Sequence, residues 1–82
     1  MNTEKTVYIL LQGHDYEGSG IHSIYSTLDA AKAQLQHQLK TFKRDRKDYL
    51  KHLRDVPEVI ETDTSIHFYG NYYMIEEREV LD

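Results

Sequence analysis

Apolar residues at helical spacing run through the middle of the chain and constrain its fold more than any other feature. They recur every three or four residues, stop around Arg46 and then resume, at Leu28, Ala31, Leu35, Leu39, Phe42, Tyr49, Leu50 and Leu53. This spacing places them on one side of an α-helix. Ser26 and Thr27 suit the start of the helix, because their hydroxyls can accept from free backbone amides, and Pro57 predicts its end.

The predicted helix is longer than the strands that could support it. An unbroken helix over residues 28–55 would measure about 42 Å, whereas the longest predicted strand, of about nine residues, would measure roughly 30 Å. Either the helix breaks near Lys43–Lys47, or its distal half projects and leaves Tyr49, Leu50 and Leu53 exposed. Exposed apolar clusters commonly mark association surfaces. We therefore expect a homodimer that forms through these three residues.

Four strands flank the helix, two before it and two after it. They are predicted at Thr6–Gln12, Ile21–Tyr25, Ser65–Tyr69 and Tyr72–Val80. The first is apolar on both faces, which is typical of a strand that is flanked on both edges. A glycine-containing loop over residues 13–20 predicts a hairpin for the first pair, and Gly70-Asn71 predicts the reversal of the second pair.

The faces of two strands can also be predicted from alternation. In the second strand, Ile21, Ser23 and Tyr25 are expected to share one face. In the last strand, the residues expected to face the core are Tyr73, Ile75 and Val80. A loop is predicted over Glu58–Thr64.

This order of elements predicts an α+β fold. We expect a four-stranded, mostly antiparallel sheet in a ββαββ arrangement, with one long helix packed on one face as a two-layer sandwich. Residues 1–82 are predicted to form a single domain, because domains typically hold roughly 50–200 residues. A chain this small buries only a thin core, so a partner subunit would help to stabilise it.

The composition limits the compartment and the chemistry. Cysteine is absent, which excludes disulfides, thiolate metal sites and a cysteine nucleophile and fits a reducing cytosol. The longest apolar run, Val7–Leu11, is far shorter than the roughly 20 residues of a membrane span. The polar start, Asn2–Thr6, does not resemble a signal peptide. The sequence therefore predicts a cytoplasmic protein with no membrane partner.

Charge is distributed unevenly along the chain. Between Lys40 and Asp55, seven basic residues outnumber three acidic ones and give a local charge of +4, whereas the remaining residues sum to −8. An acidic body with one basic segment is not typical of nucleic-acid-binding proteins, so contact with another protein is favoured. Nucleic-acid binding is the weaker alternative, through Lys43, Arg44, Lys47, Lys51 and Arg54.

One group of side chains suggests a different function. His14, Asp15 and Glu17 lie together in the glycine-containing loop, and His22 and His67 lie on strands that could be neighbours. These groups offer the alternative of a small-ligand or metal-binding domain. However, no HExxH or similarly spaced ligand pattern is present, and turn chemistry explains Asp and Gly in a hairpin loop. We therefore predict no metal, no cofactor and no catalytic residue.

Seven tyrosines without a tryptophan are the most unusual part of the composition. Tyrosine combines a large contact area with a polar end and is enriched at protein interfaces. A β-rich chain can also use tyrosine simply to cover its sheet, so both interpretations stay open. The predicted partner-binding residues are Tyr16, Tyr69, Tyr72, Lys43, Arg44 and Lys47.

Segments at both ends of the chain resemble a group of short uncharacterised proteins encoded by bacteriophages and bacterial genomes. These segments are Val7–Leu10, His14–Gly18, Ile21–Thr27 and Tyr73–Val80. The resemblance implies a cytosolic protein of phage or mobile-element origin, and small phage proteins of this kind include inhibitors of host defence systems. The basic region Lys40–Arg54 is longer than in that group. Together with the residue patterns, the resemblance predicts a non-enzymatic interaction protein whose candidate target is a host defence component.

Overall fold

A computed structural model describes residues 4–81 as five strands and one helix. The elements are β1 (Glu4–His14), β2 (Gly18–Tyr25), α1 (Leu28–Leu50), β3 (Ile60–Glu61), β4 (Ser65–Phe68) and β5 (Asn71–Leu81). All strand pairs are antiparallel, in the spatial order β2-β1-β5-β4-β3. The α+β class is confirmed. The sheet has five strands rather than four, because Ile60 and Glu61, in the predicted loop, pair with β4.

The first hairpin is longer and its turn is shorter than predicted. β1 lies between β2 and β5, which confirms that it is flanked on both edges. Pairing with β2 continues as far as His14 and Gly18, so the connection contains only residues 15–17. The ladder therefore takes up most of the predicted loop over residues 13–20.

The second hairpin reverses one residue earlier than predicted. Phe68 pairs with Asn71, which makes Tyr69 and Gly70 the central residues of the turn. Their φ angles are 55° and 85°. Two positive φ angles define a type I′ turn, whose twist matches that of the flanking strands. The prediction of a Gly70-Asn71 reversal was therefore wrong.

Helix α1 begins as predicted and ends earlier than predicted. The Thr27 hydroxyl accepts from the Ala30 amide at 3.2 Å, an N-cap. The helix runs unbroken past Lys43–Lys47 and ends at Leu50, well before Pro57. The amides of Lys51 and His52 bond to carbonyls three residues back, which tightens the last turn.

The predicted mismatch between helix and sheet is absent. The 23 residues of α1 span about 35 Å, and the 11 residues of β1 and of β5 span about 37 Å. After the helix the chain turns back, and Val56 is buried in the core. Burial of Val56 requires this reversal, which a helix extended to Asp55 would not allow.

The core lies between α1 and one face of the sheet. The buried residues on the helix are the predicted ones, Ala31, Leu35, Leu39 and Phe42. They pack with Val56 and with strand residues Leu10, Ile66, Phe68, Tyr73 and Ile75. Desolvation in this core raises the pKa of Tyr73 above its ordinary value of 10.0.

Two predicted face assignments are wrong. The β1–β2 register shifts between Leu10 and Leu11, which inserts His22 as an extra residue. As a result Ser23 lies opposite Leu10 on the helix side, whereas Ile21 lies opposite Leu11 on the other face. Val80 also lies on that other face, because it follows Ile75 by five positions, an odd number, and side chains alternate along a strand; it is 41% exposed.

Candidate functional site

The two hairpin turns meet at one end of the sheet. The amide of Asp15, in the β1–β2 turn, donates to the carbonyl of Gly70, in the β4–β5 turn, at 2.9 Å. The His14 ring lies against the same glycine, since a Cβ on Gly70 would stand 3.0 Å from His14 Nε2. Residues far apart in sequence are thereby brought together at this end, which we call the turn end.

On the side of the sheet away from the helix, the turn end carries a histidine, a carboxylate and a tyrosine. His67 Nε2 lies 3.3 Å from each carboxylate oxygen of Asp15. The Tyr72 ring stacks on His67, with ring centroids 6.4 Å apart and an angle of 20° between the planes. Tyr72 also covers Gly13, because a Cβ added there would meet its Cζ and Oη at 2.5 Å.

On the helix side, the turn end is aromatic and exposed. Tyr69 contacts Tyr49, with ring centroids 5.5 Å apart, and both contact Phe68. Tyr16 is 93% exposed and its ring lies 6.0 Å from that of His14. We call His14, Tyr16, Tyr49 and Tyr69 the aromatic tip.

The predicted partner-binding tyrosines therefore do not form one surface. Tyr69 belongs to the aromatic tip, whereas Tyr72 points to the opposite face of the sheet. The reason is alternation: Tyr72 pairs with Gly13 and His67, which face away from the helix, while Tyr69 leaves the strand in the turn. Tyr69 and Tyr72 were expected on one surface only because they lie close together in the sequence.

Of the predicted self-association residues, Tyr49 belongs to the aromatic tip, Leu50 is the last residue of the helix and Leu53 follows it. Tyr49 packs on Phe68 and Tyr69 of its own chain, yet Tyr49, Leu50 and Leu53 remain 46%, 43% and 45% exposed. They are therefore part of the protein surface, but they do not project on an arm beyond the sheet. The prediction that the helix projects beyond the sheet, on which the expected dimer depended, was therefore wrong. These three residues nevertheless form an exposed apolar surface.

Two of the three predicted basic contacts line a cavity of about 350 Å³ beside the helix. Its walls are Lys43, Arg46, Lys47, Glu58 and Val59. The Arg46 Nε donates to the Pro57 carbonyl at 3.1 Å and so ties the helix to the returning segment. Arg44 is exposed outside this lining. From the sequence, Arg46 was only part of a polar gap in the helix, because no local pattern indicates a bond between residues eleven positions apart.

The metal-binding alternative gains no support. Among residues 4–81, no group of three or more His, Cys, Asp and Glu side chains is placed to hold a metal ion. Local turn bonds account for the predicted loop: the Tyr16 amide lies 3.4 Å from His14 Nδ1, and the Glu17 amide donates to the His14 carbonyl at 3.1 Å. Asp15 interacts instead with His67, on another strand.

A second apolar surface was not predicted from the sequence. The face of the sheet away from α1, which we call the open face, carries Val7, Ile9, Leu11, Ile21, Ile24, Met74 and Val80. Ile21 and Ile24 are 60% and 57% exposed. The sequence of β1 indicated this surface, because β1 is apolar on both faces and the single helix α1 can cover only one of them.

No protein-family profile, no curated protein and no solved structure matches this chain. Among residues 4–81, no helix has the length and hydrophobicity needed to cross a membrane.

Proposed function

We propose that this chain is a non-enzymatic protein-binding module that acts in the cytoplasm and receives its partner on the aromatic tip and the adjoining end of helix α1. The observation that carries the proposal is the concentration of exposed large side chains at this end, namely Tyr16, Tyr49, Leu50, Leu53 and Tyr69. Full burial of one such side chain contributes roughly 1.5–3 kcal/mol. Aromatic rings with a polar end are the residues on which protein interfaces rely most.

The basic residues of the helix end indicate the chemistry of the partner. The helix end carries Lys43, Arg44 and Lys47, and the basic stretch continues to Arg54. This charge favours a partner with acidic side chains near an apolar patch, because complementary charge speeds association and disfavours wrong partners. From the resemblance to short phage proteins expected from the sequence, we also propose a narrower form, in which the partner is a bacterial defence protein.

The proposal is tested by capturing partners from bacterial lysate with the immobilised chain and then titrating the purified partner against variants. Tyr16→Ser removes a ring that is 93% exposed and should leave folding intact. Tyr69→Asn removes a second ring while keeping a residue that tolerates positive φ. We expect each variant to weaken binding by about 10-fold or more, because each removes an aromatic ring from the interface.

A charge-reversed pair completes the experiment. Lys43→Glu with Lys47→Glu should slow association and weaken its salt dependence, whereas Lys32→Glu, in the first half of the helix, should not. A partner that binds all of these variants as tightly as it binds the native chain would show that the contact lies elsewhere. If the partner is a bacterial defence protein, expression of the chain in a strain that carries the corresponding phage-defence system should raise the plating efficiency of a phage. The Tyr16→Ser variant should not raise it.

A further inference from the structure

The open face is an apolar surface that no other described element of the fold covers. Within residues 4–81 the chain has one helix, and it packs against the other side of the sheet. Ile9, on the open face between Ile24 and Glu76, is 4% exposed and does not belong to the core cluster. A sheet with two apolar faces requires a layer on each of them.

The surface area of the molecule supports a missing layer. The chain exposes 6135 Å², whereas a monomeric protein of 9.7 kDa is expected to expose about 5,100 Å². The radius of gyration is 15.2 Å, against about 11.7 Å for a compact domain of this length. The excess of about 1,000 Å² belongs to the whole molecule, which is extended, with principal dimensions of 59 × 25 × 16 Å. The size of this excess is comparable with the roughly 800 Å² that each partner buries in a stable complex.

The charges on the open face are compatible with a second copy of the same face. Arg78 donates to both carboxylate oxygens of Glu76, at 3.1 and 3.0 Å, and both side chains lie on this face. This pair is neutral, so the middle of the face carries no net charge; Lys5, opposite Val80, adds a positive charge at one end of the face. The acidic excess of the chain is therefore not concentrated at the apolar centre of this face.

We propose that two copies of this chain pack open face against open face and form a β-sandwich with the two helices outside. Identical sheets have the same right-handed twist, and sheets of equal twist pack aligned at about −30° with their inner side chains interdigitated. The contact is separate from the aromatic tip, so the dimer leaves the proposed partner site free.

The test is sedimentation velocity of the full chain from micromolar to millimolar concentration. The native chain should reach twice the 9.7 kDa mass of the monomer. Ile24→Asp should raise the dissociation constant at least about 100-fold, because the dimer would bury an unpaired carboxylate. Leu53→Asp, at the end of the helix, should leave the dissociation constant unchanged. A native chain that stays monomeric, or a dimer lost in Leu53→Asp and kept in Ile24→Asp, would overturn the proposal.

A second measurement does not depend on a disruptive substitution. The chain lacks cysteine, so a single introduced cysteine reports on its own position. Ile24→Cys should react with a maleimide more slowly as the protein concentration rises, whereas Leu53→Cys should react at a rate independent of concentration. Equal behaviour of the two variants would exclude the open face as the contact between copies.

Discussion

The close contact between Gly13 and Tyr72 gives the sharpest prediction for stability. A Cβ at Gly13 would stand 2.5 Å from Tyr72 Cζ and Oη and 2.7 Å from the Gly18 carbonyl oxygen. The tyrosine ring could swing away at the cost of its stack on His67, worth about 0.5–1.5 kcal/mol. The Gly18 carbonyl belongs to the paired strand and cannot move without disturbing the ladder, and such overpacking costs about 1–3 kcal/mol.

We therefore expect Gly13→Ala to lower the free energy of unfolding by about 2–4 kcal/mol, and Tm by about 10 °C or more. Urea unfolding at fixed protein concentration measures this change. In a Tyr72→Ala background the cost should fall by about 0.5–1.5 kcal/mol without vanishing, because the Gly18 carbonyl remains. Gly20→Ala is the matched control, since nothing lies within 4 Å of the added Cβ. Equal stability of the Gly13→Ala and Gly20→Ala variants would refute the contact.

Three further predictions concern the helix start, the second turn and the core. Thr27→Ala should lower the free energy of unfolding by about 1 kcal/mol through loss of the N-cap, and Thr27→Ser should preserve it, as thermal melts can show. Gly70→Ala should cost about 1–3 kcal/mol in chemical unfolding, because φ is 85° and the new Cβ would stand 3.0 Å from His14 Nε2; native-like stability would contradict the type I′ turn. Burial raises the pKa of Tyr73 above 10.0, so the folded chain favours the neutral phenol. The contribution of the neutral phenol to the free energy of unfolding is complete below pH 10.0, and it is lost as the pH rises through the raised pKa. Tyr73→Phe should accordingly lose less Tm than the native chain above pH 10.0, and an identical alkaline profile would count against this assignment.

Much of the fold follows from local patterns in the sequence. The spacing of Ala31, Leu35, Leu39 and Phe42 is sufficient to identify the buried side of the helix, because periodicity depends only on the repeat of the helix itself. Thr27 marks the helix start for an equally local reason, the bond from its hydroxyl to the Ala30 amide. The apolar character of β1 on both faces likewise predicted that it is flanked by a strand on each edge.

The candidate surfaces could be predicted only in part. Exposed tyrosines and a basic helix end were visible in the sequence, but alternation and the turn place Tyr69 and Tyr72 on opposite faces of the sheet. The extra residue at His22 moves Ile21 to the open face, which simple alternation along β2 could not show. The pairing of Asp15 with His67 joins residues 52 positions apart, so no local pattern contains it.

What the sequence determined by itself was which residues are apolar, at what period they recur and where the helix begins, since these depend on neighbours along the chain. The tertiary structure decided where the helix ends, which strand faces are covered and which side chains meet at the turn end. Those outcomes depend on how one helix fits one sheet: the chain turns back after Leu50 so that Val56 can fill the core, and a single helix can bury only one of the two apolar faces of β1.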